Sequence, residues 1–124
     1  MSNLAYFEVP ADDLKRAKRF YKDLLNWEFA KTDNPDIPLE YWMITTGPAE
    51  ENTVNMGGMY QRPGPMAGIL TYVKVEQLDE ALAKVESLGG RIVNPKMSVK
   101  MVGSMATVVD TEGNMIALWE PEPL

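Results

Sequence analysis

Apolar residues along this chain follow two rhythms, and the order of those rhythms occurs twice. "LAYFEVP" (4–10) is apolar and aromatic, as a strand requires, and Pro10 closes it. In "DDLKRAKRFYKDLLNWEF", Leu14, Ala17, Tyr21, Leu24 and Leu25 recur at three- and four-residue steps. That spacing predicts a helix with one buried face. Asp12 or Asp13 opens it by accepting from backbone N–H groups that have no partner within the first turn. "WEFAKT", "LEYWMITT" and "TVNMGGMYQ" then read as strands, with "NPDIP" as a turn.

"QRPGPMAG" (61–68) carries two prolines and two glycines, which suit neither ladder nor helix, so it reads as a linker. Beyond it the rhythms resume. "GILTYVKV" is a strand and "EQLDEALAKVESLGG" a helix closed by a glycine cap. "RIVNP", "SMATVVD" and "NMIALWE" are three further strands, and "NPKMSVKMVGS" is expected to be a long loop, either a lid or an ordinary connector. The two halves are related by a fixed step. Leu14 and Leu78, Ala17 and Ala81 (81 − 17 = 64), Leu24 and Leu88, and Val9 and Val73 all keep it, as do Tyr41–Ile44 and Met105–Val108. A period this long is no solenoid repeat, so duplication of a βαβββ module is the better reading. The expected class is α+β, with four strands from each half forming curled mixed sheets.

Composition narrows what such a fold could do. The chain has 124 residues, enough for one domain or two small halves, and 45% of them are hydrophobic. It has no Cys, so disulfides are impossible and nothing suggests a secreted scaffold. The N-terminus lacks the basic and apolar regions of a signal peptide, and no apolar run approaches membrane-spanning length, so the cytoplasm is the default expectation. A net charge of −6 opposes nucleic-acid binding and weakly favours cationic small molecules. With neither His nor Cys, no serine has its usual base. The glycine pair at 89–90 follows a helix, whereas a phosphate cradle precedes one.

"FEVPADDLKRAKRFYKDLLNWEF", "ESLGGRIVNPKMSV" and "VVDTEGNMIALWEP" together resemble the vicinal oxygen chelate superfamily, which includes glyoxalase I, extradiol dioxygenases and bleomycin-resistance proteins. The likeness runs from about residue 4 to 121 and is greatest to small glyoxalase-related proteins. It implies a single domain over 1–124, with one module at 4–60, the linker at 61–68 and a second module at 69–121. It further implies a cavity where modules meet, and a homodimer. Metal-using members draw one ligand from the first strand and one from the fourth strand of each module. Here those positions fall on Tyr6, Leu70 and Glu120, with Met56, Gly58 or Met59 as the remaining first-module candidate.

Only Glu120 among these is a good ligand, so no metal and no cofactor is expected. Glu120 is then the leading acid–base candidate, or alternatively a strand-end carboxylate bonded to backbone N–H groups. Glu8 lies two residues from Tyr6 and shares its face, either on a cavity wall or solvated. The candidate catalytic groups are therefore Glu120, Glu8 and Tyr6. The candidate ligand-binding wall adds Trp42, Met56, Met59, Leu70, Tyr72, Met101 and Met105, since thioethers and aromatic rings accommodate varied apolar ligands. The expected function is metal-free binding of a small aromatic, apolar or cationic molecule, without nucleic-acid or membrane partners. The alternatives are a metal-independent lyase or isomerase using Glu120, or a metal-dependent glyoxalase-type lyase.

Overall fold

A computed structural model describes residues 1–123 as two helices and eight strands. In chain order these are β1 (Leu4–Ala11), α1 (Leu14–Leu25), β2 (Glu28–Lys31), β3 (Tyr41–Thr45) and β4 (Met56–Gln61). Then come β5 (Leu70–Lys74), α2 (Leu78–Val85), β6 (Arg91–Val99), β7 (Gly103–Val109) and β8 (Met115–Pro121). The class is α+β and the order βαβββ occurs twice. Two compact units follow from the contacts: a first module, Tyr6–Ile69, and a second comprising Met1–Ala5 and the chain from Leu70 onward.

The first module runs its strands in the order β2-β3-β4-β1, with β1 and β4 parallel and the other pairs antiparallel. Val9, Ala11, Ile44 and Met59 are buried on one face of this sheet, and Leu14, Ala17 and Tyr21 of α1 pack onto them with Phe7, Trp27, Phe29 and Trp42. Asp13 is the residue that caps α1, its carboxylate accepting from Arg16 N at 3.0 Å. Leu24 and Leu25, expected on the buried face, are exposed. The apolar stripe is narrower than the spacing suggested, because the helix contacts the sheet through its first two turns and ends at a left-handed Asn26.

The second module has the order β5-β8-β7-β6, with β5 and β8 parallel and the other pairs antiparallel. Leu78, Ala106, Val108 and Leu118 form its core beneath α2. That helix stops at Val85, where Gly89 takes φ +96° and Gly90 N donates back to Val85 O at 2.9 Å. The loop expected at 94–104 is instead a hairpin. Residues through Val99 continue β6 and pair with β7, so their backbone groups are satisfied by a ladder and not by a loop. No helix among the described residues is long and apolar enough to cross a membrane.

Candidate active site and its phenol–carboxylate chain

Each strand alternates between the face that meets its module's own helix and the face turned away from it. In the first module the away-facing residues are Tyr6 and Glu8 on β1, Tyr41 and Met43 on β3, and Gly58 and Tyr60 on β4. Register sets Glu8 beside Gly58 and Gly58 beside Met43. Tyr41 sits opposite Tyr60, with their rings stacked at 6.3 Å. The glycine pair in "NMGGMYQ" explains how so many rings fit. A Cβ on Gly57 would collide with the Phe7 ring on the helix side, and a Cβ on Gly58 would overlap the Tyr41 hydroxyl and ring on the other.

With Gly58 making room, the polar groups join. Tyr41 Oη donates to Glu8 Oε2 at 2.7 Å, and Tyr6 Oη lies 2.8 Å from Tyr41 Oη. Met43 Sδ is 3.7 Å from the Tyr6 hydroxyl. Burial and the neighbouring Glu8 charge both oppose ionisation of a phenol. Tyr6 is pushed up to about 12, chiefly by burial and further by Glu8, while its hydrogen bond with Tyr41 pulls the other way. Tyr41 is raised by burial first and then by Glu8, and Tyr60 by burial and Glu8 against an opposing pull from Arg62. All three phenols are therefore neutral hydrogen-bonding groups at ordinary pH. Together they can hold a ligand's polar group beside an aromatic wall, or pass a proton along a chain that ends on a carboxylate.

Register also settles which residues correspond between modules. Val9 pairs with Met59, and its repeat mate Val73 pairs with Leu118. The 64-residue step therefore shrinks to 59 (118 − 59) by the last strands, because the segment between β3 and β4 is longer than that between β7 and β8. The first-module counterpart of Glu120 is thus Gln61, not Met56, Gly58 or Met59. Both side chains bond near the start of their own module's helix: Gln61 Nε2 donates to Asp12 O at 2.9 Å, and Glu120 Oε1 accepts from Leu78 N at 2.8 Å.

The sequence-derived candidates accordingly divide. Tyr6 and Glu8 come together, joined by Tyr41. Met59 is fully buried in the core, and Trp42 also lies on the helix side, with Lys18 Nζ 3.1 Å from its ring centre and its indole donating to Glu40. Glu120 shares the helix-side parity of Leu118. Leu70, Tyr72 and Met105 occupy the away-facing side of the second module, where Met105 pairs with Trp119. Met56 lies at the exposed start of β4, and Met101 is 83% exposed in the hairpin turn at φ 66°. Tyr41 was missed, although alternation in "EYWMITT" already places it with Met43 and apart from Trp42. A surface depression of about 440 Å³ on the outer side of α1, lined by Arg16, Arg19, Phe20, Asp23 and Leu24, contains none of these groups. Its open walls offer a ligand little burial.

A glyoxalase-type ion needs several nitrogen or oxygen donors converging on one point. The residues present do not fit one. Tyr6 resists the ionisation that would make it a good ligand, Leu70 has no donor atom, and Gln61 and Glu120 are engaged with Asp12 and Leu78 on the helix side.

Comparison with known proteins agrees with this architecture. A protein of Didymella fabae named as glyoxylase-like domain-containing is 29% identical over 116 residues, spanning 90% of this chain and 88% of its own length. The glyoxylase-named CFP32 of Mycobacterium bovis is 27% identical over 120 residues, covering 93% of this chain, and the chain spans only 44% of that relative's length. Among solved structures, methylmalonyl-CoA epimerase from Mycobacterium tuberculosis superposes with a TM-score of 0.70 at 18% identity, covering 98% of this chain and 89% of its own. That likeness concerns the fold alone. The model of the Glyoxalase/Bleomycin resistance protein/Dioxygenase superfamily matches residues 3–118, and the chain belongs to that superfamily.

Proposed function

We propose that this superfamily member is a metal-independent small-molecule-binding protein whose polar anchor is the Glu8–Tyr41–Tyr6 chain on the first module. The observation that carries this reading is the chain itself: a carboxylate and two phenols linked at 2.7 and 2.8 Å on a sheet face away from the helix. Aromatic walls from Tyr6, Tyr41 and Tyr60 suit an aromatic or apolar ligand body, and the Glu8 charge suits a cationic one. The working form is a homodimer in the cytoplasm. A second reading, a metal-independent lyase or isomerase, is favoured by the same juxtaposition, in which Glu8 is the base and Tyr6 the proton carrier. Glu120 is left out of both because its carboxylate is engaged at α2.

Thermal-shift screening against small aromatic and organic ammonium compounds tests the binding reading. A ligand at a hundred times its Kd stabilises the native state by about 2.7 kcal/mol. For the ammonium compounds, which need the Glu8 charge, that stabilisation is expected to vanish in Glu8→Gln. Hits that stabilise Glu8→Gln and Tyr6→Phe as well as the original protein would place the ligand elsewhere. Turnover that survives in a folded Glu8→Gln would remove the enzymatic reading.

A further inference from the structure

We infer that the Glu8–Tyr41–Tyr6 chain is polarised in one direction, so that its Tyr6 end selects ligands that donate a hydrogen bond and rejects those that only accept. This rests on the proposed ligand site and sharpens it to a chemical class: neutral or cationic donors such as phenols and ammonium groups.

A phenol carries one proton and an ionised carboxylate carries none. Glu8 can therefore only accept, and Tyr41 Oη donates to it. Having spent its proton there, Tyr41 cannot also donate to Tyr6. The 2.8 Å contact between the two hydroxyls must then be Tyr6 donating to Tyr41. One end of the chain fixes the other. While that contact holds, any further group meeting the Tyr6 oxygen has to supply the proton. Met43 does not relax this rule, because a thioether is a weak acceptor that would only compete for the same Tyr6 proton.

Packing keeps the direction from scrambling. Tyr41 is buried at 8% exposure, stacked on Tyr60 and seated over Gly58, so its ring cannot swing its hydroxyl away from Glu8. An acceptor-only ligand at Tyr6 would leave two oxygens facing each other without a proton between them, or would break the Tyr6–Tyr41 bond. Either cost is that of an unmade buried hydrogen bond.

The probes are phenol, a donor, and acetophenone, an acceptor-only ring of similar body, titrated into the full chain with NMR shifts at Tyr6, Glu8 and Tyr41 as the readout. In the original protein phenol is expected to bind about tenfold tighter, the equivalent of one hydrogen bond. Tyr41→Phe returns the Tyr6 proton to the surface, and Glu8→Gln lets an amide N–H point at Tyr41 and reverse the chain. Acetophenone should therefore tighten by about three- to tenfold in each. A merely structural role for these residues predicts weaker binding instead. Should one variant lose its fold by circular dichroism, the other carries the test. Acetophenone binding as well as phenol in the original protein, or failing to tighten in a folded variant, overturns the inference while leaving the site standing. Absence of any shift with either probe overturns the site and the inference together.

Discussion

The two modules use one scaffold for two different surfaces. On the helix side they are near copies: Val9 and Val73, Leu14 and Leu78, Ala17 and Ala81, Met59 and Leu118 hold corresponding places in the two cores. On the opposite side they diverge at every position. Tyr6, Glu8, Tyr41, Met43, Gly58 and Tyr60 of the first module correspond to Leu70, Tyr72, Met105, Thr107, Ala117 and Trp119 of the second. The first face holds a carboxylate among phenols; the second has no ionised group among those six. Packing against a helix constrains one side of a sheet, and the other side is released for chemistry. A duplicated framework can then keep its stability in both halves and invest its reactive groups in one.

Four experiments would break or sharpen that contrast. The largest expected effect is alkaline. The folded-state pKa of each of Tyr6, Tyr41 and Tyr60 lies above the ordinary value near 10, so the folded protein keeps protons that the unfolded chain has released. Stability from these groups is complete below about pH 10 and is lost as pH rises through about 12 for Tyr6. Urea midpoints from pH 8 to 12 should fall steeply in the original protein and less so in Tyr6→Phe. Equal slopes would mean that the first-module face does not hold its protons as described.

Next come the cores. Met59→Ala and Leu118→Ala should each cost about 2–5 kcal/mol in denaturant unfolding, because both remove a well-packed side chain beneath a helix. A large cost in one module and a small one in the other would end the claim of equivalent helix sides. Gly58→Ala is expected to cost about 1–3 kcal/mol by driving Tyr41 from its seat. Ligand binding should be lost with it, whereas the reverse exchange at the corresponding position, Ala117→Gly, should leave binding intact. Smallest is Glu120→Ala, at about 1 kcal/mol for a lost helix-start bond, with ligand affinity unchanged. A collapse of affinity there would return Glu120 to the site.

Much of this fold can be read in the sequence because burial imposes periods. The alternating strands, the three-and-four spacing in α1 and the shared 64-residue step are all consequences of one side facing a core. The site is harder to read, and particular residues show why. Trp42 and Met59 look like ligand contacts by composition, yet each has the parity of a core neighbour, Ile44 or Val9. Parity also separates Met56 from Met59, since three positions apart on a strand means opposite faces. Glu120 draws attention as a carboxylate near the end of an apolar strand, but what it meets depends on α2, whose own N-cap Gln77 makes no side-chain bond. Alternation sets Tyr41 beside Met43, but its link to Glu8 becomes visible only through register, because Glu8 is 33 residues away and on a strand that is not adjacent.

The Gly57–Gly58 pair has one more consequence. Phe7 presses on this stretch from below and Tyr41 from above, so two aromatic rings are separated by little more than the thickness of a single peptide chain. A partition that thin transmits displacement. Reshaping Phe7 to suit the interior would shift the floor on which Tyr41 rests, and selection acting on ligand preference would register as compensating changes in a residue no ligand ever touches.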